Sequence, residues 1–176
     1  PVSAFQVDYC YRLCVHDGEL YMTGFSCWYS CNPPVVETCL VRRWNGSAFT
    51  VVRRTVDRTF FPLRSWHGQL VVGGSFRSVT FGYLCANVIS FDGTSWGRLA
   101  PTRCGISVPV SHMAGGRERL LLSVHSGGYV LLEWDGVRWL VRDAAIMEHY
   151  LYIDSLALLR SEFVAGGGTL PGEGGG

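Results

Sequence analysis

Short runs in which apolar and polar residues alternate follow one another along this chain, and turn signals close them. That pattern predicts β-strands. It is clearest in three hairpins, each with an aromatic residue, a turn dipeptide ending in glycine and a second aromatic. They are Trp44-Asn45-Gly46-Ser47-Ala48-Phe49, Phe91-Asp92-Gly93-Thr94-Ser95-Trp96 and Trp134-Asp135-Gly136-Val137-Arg138-Trp139. The hairpins begin 47 and then 43 residues apart. A hairpin repeating at a period in the forties predicts a radial or stacked β-repeat, above all a propeller blade. Asn-Gly and Asp-Gly favour a two-residue type I′ turn. Such a turn would set Trp44 opposite Ser47, with Phe49 diagonal to it.

Each unit reads as four strands. The second opens in a polar turn and runs into small residues, as in Asp17-Gly18-Glu19-Leu20-Tyr21-Met22-Thr23-Gly24 and His67-Gly68-Gln69-Leu70-Val71-Val72-Gly73-Gly74. Ser161-Glu162-Phe163-Val164-Ala165-Gly166-Gly167 is a later copy. Glycine weakens a strand unless backbone must approach backbone closely, as it would near a propeller axis. The expected fold is all-β: a partial ring of a β-propeller built from four-stranded antiparallel blades.

Residues 1–7 read as the last strand of a preceding blade, because Ser3-Ala4-Phe5-Gln6-Val7 resembles Ser47-Ala48-Phe49-Thr50-Val51. Whole blades are expected at 8–54, 58–100 and 107–142, a half blade at 152–167 and a glycine-rich tail at 168–176. Three and a half blades leave faces that neighbouring blades would shield, so the rest of the ring is expected elsewhere in a parent protein.

Composition changes little. Charged residues make up 16% of the chain and the formal charge is +1, which gives net electrostatics no hold on nucleic acid. Every basic residue is arginine. No apolar run approaches the roughly 20 residues of a membrane helix. The seven cysteines, at positions 10, 14, 27, 31, 39, 85 and 104, suggest an oxidising compartment. Cys10 and Cys14 fall on one strand, too far apart to bond to each other. Cys27 and Cys31, read as loop residues, are the disulfide candidates, with a zinc site as the rival.

Leu70-Val71-Val72-Gly73-Gly74-Ser75-Phe76, followed by Asn87-Val88-Ile89-Ser90-Phe91-Asp92-Gly93-Thr94-Ser95-Trp96, resembles the kelch-like, galactose-oxidase-type propeller repeats of secreted and cell-surface proteins. Residues 66–100 match well, 17–53 moderately, and 116–142 only in the hairpin. The resemblance implies a propeller module with an interaction or architectural role. It carries over no catalytic residues.

The expected function is therefore that of a non-enzymatic interaction or structural module of a larger exported or cell-surface assembly. Its partner would be a protein or the remainder of the parent propeller, with no cofactor, metal, nucleic acid or membrane span. A carbohydrate-binding propeller is the alternative and a copper-radical oxidase a distant one. For a glycan, Trp28 and Tyr29 in the long 26–36 excursion, with Phe81 and Tyr83 in the matching one, would supply the rings. Asn45-Gly46-Ser47 is an N-glycosylation sequon at a hairpin tip. His16 and His67 stand at turns, while around His112 and His125 the sequence shows no carboxylate or cysteine at a recognisable ligand spacing. The repeat turns Asn45, Gly46, Asp92, Gly93, Asp135 and Gly136 carry the fold. Arg42-Arg43 and Arg53-Arg54 read as a solvated edge or as inter-blade salt bridges.

Overall fold

A computed structural model describes residues 5–29, 35–55, 59–76, 87–99, 106, 108–116, 118–125, 129–143, 150–159 and 162–169. Every element among them is a strand. The first sheet is the meander β1 (Phe5–His16), β2 (Glu19–Tyr29), β3 (Val35–Trp44) and β4 (Phe49–Thr55). The second is β5 (Thr59–Trp66), β6 (Gln69–Ser75), β7 (Val88–Phe91) and the two-residue edge β8 (Trp96–Gly97). The third is β9 (Val110–Gly115), β10 (Leu120–His125), β11 (Tyr129–Trp134) and β12 (Trp139–Asp143). β13 (Tyr150–Leu159) and β14 (Glu162–Thr169) form a two-stranded sheet. All pairings are antiparallel between successive strands.

The sheets are set radially. β1 lies beside β5, β5 beside β9, and β9 beside β13, so the first strands of all four sheets cluster and the later strands point outward. This is an all-β, partial β-propeller ring of four-stranded antiparallel blades. The main core fills the two seams between the whole blades, with Tyr21 and Val41 of the first, Leu63, Trp66, Leu70 and Phe91 of the second, and Leu120 and Trp134 of the third. A smaller cluster joins Leu121 and Leu131 to Leu156 and Ala165 of the half blade. Burial on both faces explains why β6 and β10 read as continuous apolar runs. β1 alternates instead: Leu13 and Val15 are exposed, whereas Cys14 is half-buried and His16 buried.

Three expectations need correction. Phe5 to Val7 begin β1, and are not a strand of an earlier blade. β2 runs on to Tyr29 and gives them partners, Phe5 opposite Tyr29 and Val7 opposite Cys27. Gly168 and Thr169, expected in the tail, pair with Tyr152 and Tyr150. The aromatic hairpins have four-residue loops, so Trp44 faces Phe49 directly, as Phe91 faces Trp96 and Trp134 faces Trp139. Their ring centroids are 5.1, 4.9 and 5.0 Å apart. Only the glycine of each turn has a positive φ. The preceding Asn or Asp instead accepts hydrogen bonds through its side chain: Asn45 Oδ1 from the Ser47 and Ala48 amides, Asp92 Oδ1 from Thr94 and Ser95, Asp135 Oδ1 from Val137 and Arg138. Asx residues serve this role because their short side chains reach backbone amides two and three residues on. Two-residue turns with both central residues at positive φ, as type I′ requires, occur at Asp17-Gly18 and His67-Gly68.

Close approach explains the strand glycines. A Cβ on Gly24 would lie 1.8 Å from the carbonyl oxygen of Tyr9, beside the β1 bulge between Cys10 and Arg12. One on Gly73 would lie 2.7 Å from Pro62 Cγ and 2.9 Å from Val110 Cγ1.

Candidate functional site

Four first strands brought together enclose space between them. One cavity of about 210 Å³ is walled by Arg12 of β1, Pro62 and Leu63 of β5, His112 and Met113 of β9, and Ser155 and Leu156 of β13. A second, of about 270 Å³, is bordered by Tyr11, Arg12, Ser111 and His112. Arg12 and His112 border both.

The bulge in β1 sets up the Arg12 side of this site. It takes Tyr11 out of register and redirects the strand. The Tyr11 ring tilts against Phe25 at 5.5 Å, and Phe25 stacks on Tyr9 at 4.4 Å. Arg12 donates from Nη1 to the Tyr11 carbonyl at 2.9 Å, which steadies the guanidinium at the cavity mouth. On the opposite wall β9 supplies Ser111 and His112. Among the described lining residues the charged group is a cation, with an imidazole and hydroxyls around it. That set favours an anionic or hydrogen-bond-accepting guest.

Away from the cavities, polar groups of the inner strands tie blade to blade. His16 Nδ1 lies 3.0 Å from Ser65 Oγ, and the Ser65 amide donates to Cys14 Sγ at 3.2 Å. Burial pushes the Cys14 thiol pKa up. Arg64 donates to the Gly115 carbonyl at 2.8 Å. Asn87, at φ 64°, accepts from the Phe76 amide at 2.8 Å and donates to the Ile106 carbonyl at 2.7 Å. Arg53 lies over the Trp96 ring of the next blade at 5.8 Å, a cation–π contact between blades rather than the expected salt bridge.

The sequence-derived candidates fare unevenly. Cys27, Trp28 and Tyr29 lie on β2 by their backbone, so the excursion is shorter than expected. Cys31, Phe81 and Tyr83 lie outside the described residues, as do Cys85, Cys104 and His149. Cys10 and Cys14 are free thiols on β1. Asn45 stands at an exposed hairpin tip. His16, expected at a comfortable surface turn, is buried in a seam, while His67 stacks on Trp66 at 4.1 Å. His112 and Arg12 are brought together from strands a hundred residues apart, a relation that no local spacing signals. Among the described residues no group of three or more His, Cys, Asp or Glu side chains is placed to hold a metal ion. Among them, too, no helix is long and apolar enough to cross a membrane.

No protein-family model matches this chain, and no curated protein matches it in sequence. Among solved structures it is similar to the β-propeller domain of the Trilobed protease from Pyrococcus furiosus, described as having an open velcro topology. The two are 13% identical with a TM-score of 0.49, over 88% of this chain and 43% of that one. This chain thus spans less than half the length of that structure, and its assignment as a propeller rests on its own radial sheets.

Proposed function

We propose that this chain is a non-enzymatic interaction and structural module of an exported or cell-surface assembly, and that it takes an acidic group of a protein partner at its axis. The observation that carries this reading is the convergence of β1, β5, β9 and β13 on cavities bordered by Arg12 and His112. A planar guanidinium at a cavity mouth suits bidentate capture of a carboxylate. Ser111, Tyr11 and Ser155 add hydroxyls that orient the guest.

The kelch-like character of the module is supported by the strings Leu70 to Phe76 and Asn87 to Trp96. Export is supported by the cysteine content and by the sequon at an exposed tip. There Asn45 uses Oδ1 for its three turn bonds, whereas a glycan attaches through Nδ2.

Calorimetric titration with a glutamate-rich hexapeptide tests the axial reading, with a uronate-bearing oligosaccharide as the competing ligand class. Arg12→Glu is expected to weaken peptide binding at least tenfold while leaving the far-ultraviolet dichroism unchanged. Equal binding by parent and variant, or a preference for the oligosaccharide, sinks it. Glycopeptides at Asn45 from a eukaryotic secretory host test the export reading.

A further inference from the structure

The three aromatic hairpins carry the same turn with one chemical difference. Asp92 and Asp135 hold the second and third, whereas Asn45 holds the first. Each uses one side-chain oxygen in the same way. Asn45 Oδ1 accepts from the Ser47 amide at 2.9 Å, the Ala48 amide at 2.9 Å and the Ser47 hydroxyl at 3.0 Å. Asp92 Oδ1 accepts from the Thr94 amide at 2.9 Å, the Ser95 amide at 2.7 Å and the Thr94 hydroxyl at 2.8 Å. The first blade therefore offers a carboxylate oxygen the same cradle as the second, and aspartate fits at position 45 without rearrangement.

An oxygen that reaches the amides of residues 47 and 48 holds its own Cγ over the intervening Gly46 amide. The hydrogen bonds on Oδ1 also draw electrons from Cγ, and they would stabilise charge developing on that oxygen under attack. Gly46, at φ 99°, brings no side chain, and a Cβ built there would meet nothing within 4 Å, so the approach is open. The tip is exposed from Trp44 to Ala48. The chain's other asparagines, Asn32 and Asn87, lack these features. Asn32 precedes Pro33, whose nitrogen has no proton to give up. Asn87 is buried, its oxygen and nitrogen are bonded to Phe76 and Ile106, and β-branched Val88 follows it.

We propose that Asn45 is a site of spontaneous conversion to aspartate in the folded protein, through a cyclic imide with Gly46. The Gly46 nitrogen gives up its proton and bonds to Asn45 Cγ, the Cγ–Nδ2 bond breaks, and Nδ2 leaves as ammonia. Water then adds at Cγ and the bond from Cγ to the Gly46 nitrogen breaks, which restores the backbone with a carboxylate in place of the amide. The net change is asparagine and water to aspartate and ammonia, with no oxidant or cofactor. Opening at the backbone carbonyl instead would route the chain through the former side chain and forfeit the Ser47 and Ala48 bonds, so the turn favours aspartate over isoaspartate. The same cradle has the opposite effect in the other blades. Its amides hold Asp92 and Asp135 as carboxylates by lowering their pKa, and a carboxylate is a poor electrophile. Conversion takes the formal charge from +1 to 0, because 14 acidic residues become 15 against 15 basic ones. It also erases the sequon, and a glycan already on Nδ2 removes the free leaving nitrogen, so position 45 carries either a glycan or a carboxylate. The inference does not depend on the export reading, because it concerns the unglycosylated asparagine.

The test uses the unglycosylated chain from a bacterial host, held folded at mildly alkaline pH. Isoelectric focusing is expected to show one more acidic band growing in, level with freshly made Asn45→Asp. Peptide mapping is expected to place the change at Asn45, with aspartate exceeding isoaspartate and with Asp92 and Asp135 unaltered. Ser47→Ala removes one donor at a solvent-exposed site and is expected to slow conversion roughly tenfold, less than the hundredfold or more lost with a donor in an enclosed oxyanion hole. Asn45→Asp is expected to melt with the parent. A folded parent that keeps its band while the urea-unfolded chain converts overturns the proposal, since the turn then protects Asn45. So does a change that maps elsewhere, a majority of isoaspartate, or isomerisation at Asp92 or Asp135 as fast as conversion at Asn45. Ser47→Ala converting like the parent, or Asn45→Asp melting well below it, overturns it too.

Discussion

Tyr21 of the first blade and Phe91 of the second meet edge to face, their ring centroids 6.4 Å apart. The hairpin aromatics therefore do more than set register within a blade: Phe91 and Trp134, the first members in the second and third blades, are wedges between blades. Tyr21 also donates from its hydroxyl to Glu19 at 3.0 Å, so its polar end remains satisfied while the ring is buried.

Phe91→Ala should cost about 3–5 kcal/mol, the loss typical of a buried aromatic and the cavity it leaves. Trp44→Ala should cost less, because this ring is 38% exposed and packs on Phe49 of its own blade rather than in a seam. Urea unfolding of the two variants side by side measures the difference. Similar losses would mean that Trp44 is already covered.

Asn87 combines a left-handed backbone with two buried hydrogen bonds, to Phe76 and Ile106. Asn87→Ala should cost about 2–4 kcal/mol through lost bonds and backbone strain. Asn87→Gly relieves the strain but not the bonds and should fall between parent and alanine. Thermal unfolding of both variants separates the two contributions.

Alanine at Gly24 and at Gly73 should differ in severity. At Gly24 the new methyl meets the Tyr9 carbonyl, which is held in the ladder, so the sheet itself must shift. At Gly73 it meets the ends of the Pro62 and Val110 side chains, an overpacking cost of about 1–3 kcal/mol. Gly97→Ala, with open space around it, is the control. Soluble yield and melting temperature should rank Gly24→Ala lowest and Gly97→Ala nearest the parent.

Acid should loosen the fold through particular carboxylates. The Ser95 and Thr94 amides hold the Asp92 carboxyl well below its usual range, and those of Arg138 and Val137 do the same for Asp135. Arg119 and then Arg142 depress Glu133, whose carboxylate accepts from their Nε atoms at 2.7 and 2.8 Å. A depressed folded-state pKa gives stability that is fully present above the unfolded value of about 4 and is lost as pH falls below it. Asp92→Asn keeps the accepting oxygen, as Asn45 does in the first blade, and should flatten the fall in melting temperature between pH 5 and 3. Glu133→Gln should flatten it further and cost about 1–2 kcal/mol at neutral pH through weakened charge-assisted bonds.

The blades were legible because their signals are local. Aromatic-flanked hairpins, strand glycines and polar turns lie within a few residues of one another, and each recurs. The turn type was misjudged because an Asn or Asp before glycine serves two geometries: one accepts positive φ on both residues, the other uses the side chain as acceptor. Strand alternation alone could not separate Phe5–Val7 from β1, since a similar string, Ser47–Val51, also opens a strand. The site was not legible. Arg12 and His112 are ordinary residues in sequence, and their proximity comes from the radial packing of β1 and β9.

From its sequence alone this chain settled that it is a β-repeat with one blade per hairpin, because alternation, turn chemistry and period are encoded residue by residue. Only the tertiary structure decided which faces are covered, where the inner strands leave a cavity, and which of three equivalent aromatics remains exposed. Burial is a property of neighbouring sheets. Trp44, Phe91 and Trp134 occupy the same place in the repeat, and they differ in exposure because of what stands beside each blade.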